Sequence, residues 1–248
     1  MKAALGRYLL RKLRGESLEL CLRNLFTGYR IDLVLDVGAN RGSYADLWRD
    51  RVGYSGTLLS FEPIPELAAS LARRAQGDPA WMVIAEAVGD RNEVRTLRVP
   101  PADVLSSFRT ANPEAPAPVR AKLDPTRLLD VPVRRLDTSV PAMVPDAAGR
   151  RIHLKTDTQG FDMEVLRGLG ALAPAVVSLQ LELSFIPPYA GVPPVPDQLR
   201  ELDALGFDVC GLYPIVRRGL TLVEGDCVLL RRAARPAPPS ARSGPRSP

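Results

Sequence analysis

The sequence predicts an α/β fold with a mostly parallel β-sheet and helices on both faces. Three observations support this prediction. Short β-rich runs alternate with helical segments, which is typical of parallel sheets with right-handed crossovers. The first of these runs ends in a glycine turn that leads into a helix. The last two runs are separated by only a short turn, "RRGL", which predicts an antiparallel hairpin at one edge of the sheet.

The elements follow one another from residue 31. The predicted strands are "IDLVLDVG" (31–38), "GTLLSFEP" (56–63), "AWMVIAEAVG" (80–89), "RIHLKTDT" (151–158), "AVVSLQLELS" (175–184), "GFDVCGLYPI" (206–215) and "TLVEGDCVLLRR" (221–232). The predicted helices between them cover residues 43–51, 65–75, 162–169 and 196–205. Residues 131–140, "VPVRRLDTSV", are interpreted as a further edge strand.

Three parts of the chain are expected. Residues 1–30 form an amphipathic helical extension, either packed on the domain edge or touching a membrane surface or a second subunit. Residues 31–231 form the catalytic domain, in which the Pro- and Ala-rich stretch 99–130 is interpreted as a substrate-facing loop. Residues 232–248 form a disordered tail, because they are rich in Pro and Arg and contain no acid.

The charge distribution argues against a nucleic-acid-binding protein. The net charge is +5, but residues 2–14 and 231–248 carry ten basic residues and no acid. The rest of the chain has 23 basic and 28 acidic residues, a net charge of −5. We therefore expect no nucleic-acid partner on the core and leave peripheral membrane contact to the basic N-terminal helix.

Other composition features narrow the class of protein. Three widely spaced cysteines predict neither a disulfide framework nor a zinc site, and a single histidine excludes a multi-histidine metal centre. No apolar run is long enough for a transmembrane helix, and no signal peptide is convincing. We expect a cytoplasmic protein whose oligomeric state is open.

The stretch "LVLDVGANRGSY" (33–44) predicts the ligand site. Gly38 and Gly42 let the backbone approach a ligand closely, and Asn40 tolerates positive φ. Ala39 lies between them. A dinucleotide fingerprint would have a third glycine, and here Asp36 precedes the turn instead. A carboxylate at this place repels a pyrophosphate but attracts the cationic part of S-adenosylmethionine. The alternative is that Asp36 only caps the next helix.

The next strand ends extend this site. Glu62, followed by Pro63, stands where an acid binds the ribose hydroxyls of a nucleoside, in NAD and S-adenosylmethionine sites alike. In "AEAVGD" (85–90), small residues such as Ala87 leave room for adenine, and Asp90 is expected to accept a hydrogen bond from its amino group.

The reacting groups are expected on the later strands. His153, Lys155 and Asp157 alternate onto one face of a central strand, which buried strands rarely show, and Glu182 lies near the end of the next strand. We predict Asp157 as the base that accepts a hydroxyl proton and Glu182 as the second candidate, with Lys155 and His153 orienting the substrate. A buried ion pair of Lys155 with Asp157 or Glu182 is equally compatible. No metal site is predicted, although two carboxylates and water offer an alternative Mg²⁺ site.

Several motifs occur here in the order found in a known family. "DVGANRGSY", "SFEPIPE", "AVGD", "LKTDTQGFDMEVLRG" and "LQLELSFIPPY" resemble the FkbM-like family of S-adenosylmethionine-dependent methyltransferases, over roughly residues 31–230. The resemblance implies a class I methyltransferase (Rossmann-like) sheet of seven strands, the last one antiparallel. It also implies S-adenosylmethionine as cofactor and O-methylation of a sugar, polyketide or other small-molecule hydroxyl. In "QGFDMEVL" this chain has Asp162 where family members commonly have Glu.

Two other classes remain as alternatives. A nicotinamide-dependent oxidoreductase would need the pyrophosphate loop that is missing here. A non-catalytic module of the same fold would use its basic ends to dock on a membrane or partner.

Overall fold

The computed structural model describes residues 17–234, which contain ten strands. They are β1 (Leu33–Val37), β2 (Thr57–Phe61), β3 (Trp81–Ile84), β4 (Ala87–Val88), β5 (Glu93–Val99), β6 (Arg127–Arg134), β7 (Ile152–Thr156), β8 (Val176–Ser184), β9 (Phe207–Arg218) and β10 (Thr221–Arg231). Residues 1–16 and 235–248 lie outside the described residues. They include more than half of the predicted N-terminal extension (1–30) and nearly all of the predicted tail (232–248).

Seven of the strands form the main sheet in the order β3-β2-β1-β7-β8-β10-β9. The pairs β1–β2, β1–β7, β2–β3 and β7–β8 are parallel, and β10 is antiparallel to both β8 and β9. This arrangement confirms the predicted seven-stranded sheet with an antiparallel last strand. The chain crosses from one half of the sheet to the other between β1 and β7, and ligands of open α/β sheets bind at such a switch point.

Seven helices accompany the strands in the described part of the chain. They are α1 (Leu18–Tyr29), α2 (Ser43–Asp46), α3 (Pro65–Ala75), α4 (Ala117–Leu123), α5 (Leu136–Met143), α6 (Asp162–Arg167) and α7 (Val195–Ala204). The backbone after α2 continues as a wider π-type turn, Leu47–Val52. Helix α1 begins where the Ser17 hydroxyl accepts a hydrogen bond from the Leu20 amide, and α3 begins at a proline in its first turn.

The core lies on both faces of the main sheet. Leu33 and Leu35 of β1 belong to one buried cluster, whereas Val34 belongs to the other, because successive side chains of a strand point to opposite faces. Leu22 and Phe26 of α1 are buried in the second cluster. Helix α1 therefore packs on the domain.

A second sheet was not foreseen. It has the order β4-β6-β5, with β6 parallel to β4 and antiparallel to β5. The interpretation of residues 131–140 as an edge strand is wrong, since β6 is the central strand of this sheet and α5 begins at Leu136. Strand β5 escaped prediction because four of its seven residues are polar or charged, so no apolar run marks it.

The stretch 99–130 is more regular than its composition suggested. It contains a short turn at Asp103–Leu105, helix α4 and the start of β6. At the other end, Arg232–Ala234 form one helical turn, and Arg232 donates hydrogen bonds to the carboxylates of Asp203 and Asp208, both at 2.7 Å. Residues 232–234, at the start of the predicted tail, therefore contact the rest of the domain.

No helix between Ser17 and Ala234 has both the length and the apolar character that crossing a bilayer requires.

Candidate functional site

A cavity of about 930 Å³, including its mouth, lies at the carboxyl ends of the parallel strands. It opens beside the turn after β1 and is bordered by the ends of β2, β4 and β7. Residues 103–108, which we call the cover segment, lie over it through Asp103, Val104, Ser106 and Phe108.

The glycine turn is shaped by three residues with positive φ, which are Gly38 at 77°, Asn40 at 46° and Gly42 at 82°. A Cβ on Gly38 would lie 2.1 Å from the carbonyl oxygen of Asp157, so only glycine lets β1 and β7 approach this closely. Gly38, Ala39 and Asn40 line the cavity as predicted. Gly42 does not line it, because it turns the chain into α2 and packs towards α3.

The carboxylate of Glu62 is fixed in the cavity wall by two backbone amides. Its side chain is buried, and its two oxygens accept hydrogen bonds from the amides of Asn40 (2.8 Å) and Ile64 (2.9 Å). Burial raises the pKa of Glu62 to about 7, against the opposing effect of these two amides. Each carboxylate oxygen keeps a further lone pair, so Glu62 can still accept hydrogen bonds from a vicinal diol.

Asp36 is placed differently from the prediction. It is fully buried beneath the turn and does not line the cavity. Its Oδ1 lies 3.3 Å from Nζ of Lys155, and its Oδ2 accepts a hydrogen bond from the Ser60 hydroxyl at 3.3 Å. The prediction that Asp36 itself attracts a cationic ligand is therefore wrong. Its charge is neutralised by Lys155, and burial raises the pKa of the Asp36 carboxyl.

Lys155 contacts both the glycine turn and Asp157. Its ammonium group donates to the carbonyl of Gly38 (3.2 Å), lies 3.7 Å from Oδ2 of Asp157 and 4.4 Å from the centre of the Tyr44 ring. Burial acts to lower the pKa of Lys155, but the charges of Asp36 and Asp157 outweigh it and raise the pKa overall. Of the expected partners, Asp157 is present, and Asp36 takes the place foreseen for Glu182.

Asp157 lines the cavity, and 35% of its side chain is exposed. Its Oδ1 accepts a hydrogen bond from the side-chain amide of Gln159 at 3.1 Å. Among the predicted reacting groups, Asp157 and Lys155 are the two that reach this cavity.

Glu182 lines a second, smaller cavity together with Asp162 and Tyr189, and Gln159 borders both cavities. Burial raises the pKa of Glu182 to about 9, and the negative charges of Asp157 and Glu224 add to this effect. Glu182 is therefore protonated at neutral pH, and its carboxyl group then carries one hydrogen-bond donor.

His153 lies outside both cavities. It is fully buried, with Nδ1 2.8 Å from the Ser178 hydroxyl and its ring 4.9 Å from Phe26 and 6.1 Å from Trp48 between centroids. Burial lowers its pKa to about 3. It shares a strand face with Lys155 but lies one pleat deeper, so the role in orienting the substrate is withdrawn.

The end of β3 also corrects one prediction. Pro63 and Ala87 line the cavity, whereas Asp90 does not, and its backbone carbonyl accepts a hydrogen bond from Arg135 at 3.0 Å. The acid that faces the cavity here is Glu86. The strand-end rule that selected Glu62 would have found it, had the run been ended at residue 84 rather than 89.

The cover segment supplies contacts that sequence reasoning missed. Arg41, in the glycine turn, binds Asp103 through two hydrogen bonds of 2.5 and 2.7 Å. At the other end, the Ser107 hydroxyl donates to the carbonyl of Gln159 (2.8 Å), and Arg109 pairs with Glu164 (2.8 Å). These partners are far apart in sequence, so no local pattern marks them.

Asp162 has a local task. It accepts hydrogen bonds from the amide (3.2 Å) and the hydroxyl (3.0 Å) of Thr158 and so stabilises the turn after β7. Within residues 17–234, no group of three or more His, Cys, Asp or Glu side chains is arranged to hold a metal ion.

One known protein family matches most of the chain. The model of the "Methyltransferase FkbM domain" family matches residues 36–209, which is more than half of the chain. None of the curated protein sequences compared with the chain matches it.

Three solved structures illustrate the similarity. Methyltransferase FkbM from Methylobacillus flagellatus is 18% identical, with a TM-score of 0.46 and coverage of 81% of this chain and 43% of that one. Magnesium protoporphyrin IX methyltransferase from Synechocystis with bound SAM is 10% identical (TM-score 0.46, coverage 85% and 74%). The N1-methyltransferase of 1,6-didemethyltoxoflavin from Burkholderia thailandensis, with bound S-adenosylhomocysteine, is 10% identical (TM-score 0.45, coverage 91% and 82%).

The chain spans less than half of the Methylobacillus protein. The family match confirms the methyltransferase class and, with it, S-adenosylmethionine as the cofactor. This chain belongs to the FkbM methyltransferase domain family.

Proposed function

We propose that this protein transfers a methyl group from S-adenosylmethionine to a hydroxyl of a small molecule, sugar or natural product. One observation carries the cofactor side of the proposal. The charged side chains that line the main cavity are four acids and one lysine, namely Glu62, Glu86, Asp103, Asp157 and Lys155.

Arg41 offsets the charge of Asp103, but Glu62, Glu86 and Asp157 still outnumber Lys155. This excess of acid separates two cofactor classes. A pyrophosphate would be repelled by carboxylates at a few ångströms, whereas a ligand with a sulfonium and an ammonium group is attracted. The argument first made for Asp36 therefore passes to side chains that face the cavity. A nicotinamide dinucleotide fits this lining poorly.

The residues present fit the cofactor along its length. Glu62 is placed to accept hydrogen bonds from the ribose hydroxyls, and Glu86 from the adenine amino group. Ile64, Leu97 and Phe108 supply apolar surface for the faces of the adenine ring. Gly38 and its neighbours lie beside Lys155, where the amino acid portion would bind.

When bound, S-adenosylmethionine supplies an electrophilic methyl group. Asp157 is the proposed base, which accepts the proton of the acceptor hydroxyl at its carboxylate. Lys155 lies 3.7 Å from that carboxylate, and Gln159 orients it by donating a hydrogen bond to its Oδ1. Glu182 ranks below Asp157 as a base, because its raised pKa of about 9 leaves it protonated at neutral pH.

Two segments form the proposed acceptor wall, residues 99–130 and 184–196. Tyr189 joins them, because its hydroxyl lies 2.8 Å from the carbonyl oxygen of Leu105 and 3.0 Å from Oε1 of Gln159. Arg109 was a candidate for an acidic acceptor, but its guanidinium is engaged by Glu164 and the carbonyls of Gly160 and Ala190. We infer a neutral, hydroxyl-bearing acceptor.

The lining also argues against the remaining alternatives. A non-catalytic module would not need Glu62 and Asp157 to line the same cavity. Acidic side chains around the opening do not favour a nucleic-acid acceptor. We retain the cytoplasm as the proposed location, which subcellular fractionation would test.

The test uses the full chain with radiolabelled S-adenosylmethionine and a panel of sugar and polyketide alcohols. Asp157→Asn should lower the turnover about 10²–10⁴-fold, the usual contribution of a general base, with unchanged affinity for S-adenosylhomocysteine. Asp90→Asn, outside the cavity, is the matched control and should keep its activity. Near-normal turnover of Asp157→Asn would show that Asp157 is not the base.

A further inference from the structure

The β9–β10 hairpin extends beyond the main sheet. The pairing of β10 with β8 ends at Glu224 and Ser184, and the Phe185 amide then donates to the carbonyl of Val223 at 2.8 Å. There Val216 pairs with Glu224, and beyond this point the two strands pair only with each other, Arg217 with Leu222 and Arg218 with Thr221; we call residues 215–222 the hairpin tip.

The hairpin tip lies at the edge of the sheet where the cavities open. Strand β8 is parallel to β7 and β1, and its last residues, Glu182 and Ser184, line the second cavity. Because β10 runs antiparallel to β8, its first residues lie at this same edge. Whatever binds the hairpin tip is therefore held next to the proposed acceptor site.

The surface of the tip is apolar to an unusual degree. Leu220 is 98% exposed, Ile215 51% and Val216 40%. Phe185, whose amide bonds to Val223 at the base of the tip, is 40% exposed. Clustered exposed apolar side chains are typical of an interaction surface.

The charge of the tip selects the kind of partner. Arg217 and Arg218 are both exposed and flank the turn to Leu220, and residues 209–223 contain no acid. Apolar side chains that enter the lipid interface, next to arginines that meet phosphate headgroups, are the pattern of peripheral attachment to anionic bilayers.

We propose that the hairpin tip docks this protein on an anionic phospholipid surface, with Leu220 entering the interface. A second copy of the chain fits less well, because a two-fold axis at the tip would bring its arginines together. Nucleic acid fits less well too, because a phosphate backbone offers nothing to Leu220 and Ile215.

The first experiment compares the full-length variants on vesicles of phosphatidylcholine with and without phosphatidylglycerol. Both chain ends are basic, so the difference between variants is decisive rather than binding itself. Leu220→Ser and the double variant Arg217→Glu/Arg218→Glu should each bind the anionic vesicles at least about tenfold more weakly than the wild type. Val94→Ser, which alters a 69%-exposed side chain of the second sheet, is the matched control and should bind like the wild type.

A second readout locates the contact. The fluorescence of the tryptophan in Leu220→Trp should be quenched by brominated lipids in anionic vesicles, whereas that of the tryptophan in Val94→Trp should not. Unchanged affinity for the S-adenosylhomocysteine probe in all variants shows that they are folded and separates this proposal from the enzymatic one. Equal vesicle binding by wild type and tip variants overturns the proposal. A dimer that Leu220→Ser dissociates, without a change in vesicle binding, also overturns it.

Discussion

Lys155 and Asp36 form a buried ion pair beneath the glycine turn, with Nζ 3.3 Å from Oδ1 and side chains that are 3% and 0% exposed. The same ammonium group lies 3.7 Å from Asp157, which faces the cavity. One buried lysine therefore contacts both the glycine turn that lines the main cavity and the carboxylate proposed as the base.

The first prediction concerns this pair. Lys155→Met should lower the free energy of unfolding by about 3–5 kcal/mol, because it leaves the Asp36 carboxyl buried without a counter-charge. The double variant Asp36→Asn/Lys155→Met should recover part of the loss. Urea unfolding followed by circular dichroism measures both.

A double variant no more stable than Lys155→Met would contradict this explanation, since the loss would then come from packing rather than from the unpaired charge. Arg91→Met, which removes a 77%-exposed basic side chain, is the control and should change the stability little.

The second prediction concerns pH. The pKa of Glu62 is raised to about 7, and only its ionised form accepts hydrogen bonds from two hydroxyls. The affinity for S-adenosylhomocysteine should therefore rise up to about tenfold from pH 6 to pH 8. Glu62→Gln should bind more weakly and show no such rise. A pH-independent wild-type affinity in calorimetry would show that Glu62 does not act through its charge.

The third prediction concerns the cover segment. Arg41 and Asp103 join the glycine turn to this segment by an exposed, two-point ion pair, so Arg41→Ala should speed the release of S-adenosylhomocysteine about two- to fivefold. Stopped-flow measurements should show this difference shrinking at high salt, because salt screens exposed charges. The swapped pair Arg41→Asp/Asp103→Arg should release the ligand more slowly than Arg41→Ala does. Equal release from all three proteins would mean that the ion pair does not restrain the cover segment.

The fourth prediction concerns Glu182. Its pKa is raised from 4.5 to about 9 in the folded protein, so between these pH values the folded state binds more protons than the unfolded state. Its contribution to the free energy of unfolding therefore falls as the pH rises from 4.5 to 9, by at most about 1.4 kcal/mol per pH unit. Glu182→Gln lacks this term and should gain stability over the wild type from pH 5 to pH 8 in thermal unfolding. A constant difference between the two proteins would contradict the raised pKa.

Much of the fold was predictable because local sequence patterns indicate its strands and helices. Helix α3 and the strands beside Asp36 and Glu62 carry apolar runs or proline starts that identify them from sequence. Strand β5 carries no such signal, because its polar residues are distributed over both faces of the strand and interrupt its apolar residues. Because β5 was not predicted, β6 was interpreted as an edge strand rather than as the central strand of the second sheet.

The sequence located the side chains that lie at strand ends, but it did not show how deeply each of them is buried. The rule that ligands meet the carboxyl ends of parallel strands located Glu62 and Asp157 correctly in the cavity. The alternation that placed His153 with Lys155 gives a face but not a depth, and His153 lies among aromatic side chains. Asp36 looked accessible for the same reason, until the structure showed Lys155 between it and the cavity.

The measurement that tests the central claim most directly is calorimetric titration of the full chain with S-adenosylhomocysteine and, separately, with NADH. We predict micromolar binding of S-adenosylhomocysteine alone, lost in Glu62→Ala and kept in Asp90→Asn. Binding of NADH, or binding of S-adenosylhomocysteine that survives Glu62→Ala unchanged, would contradict the assignment of this cavity.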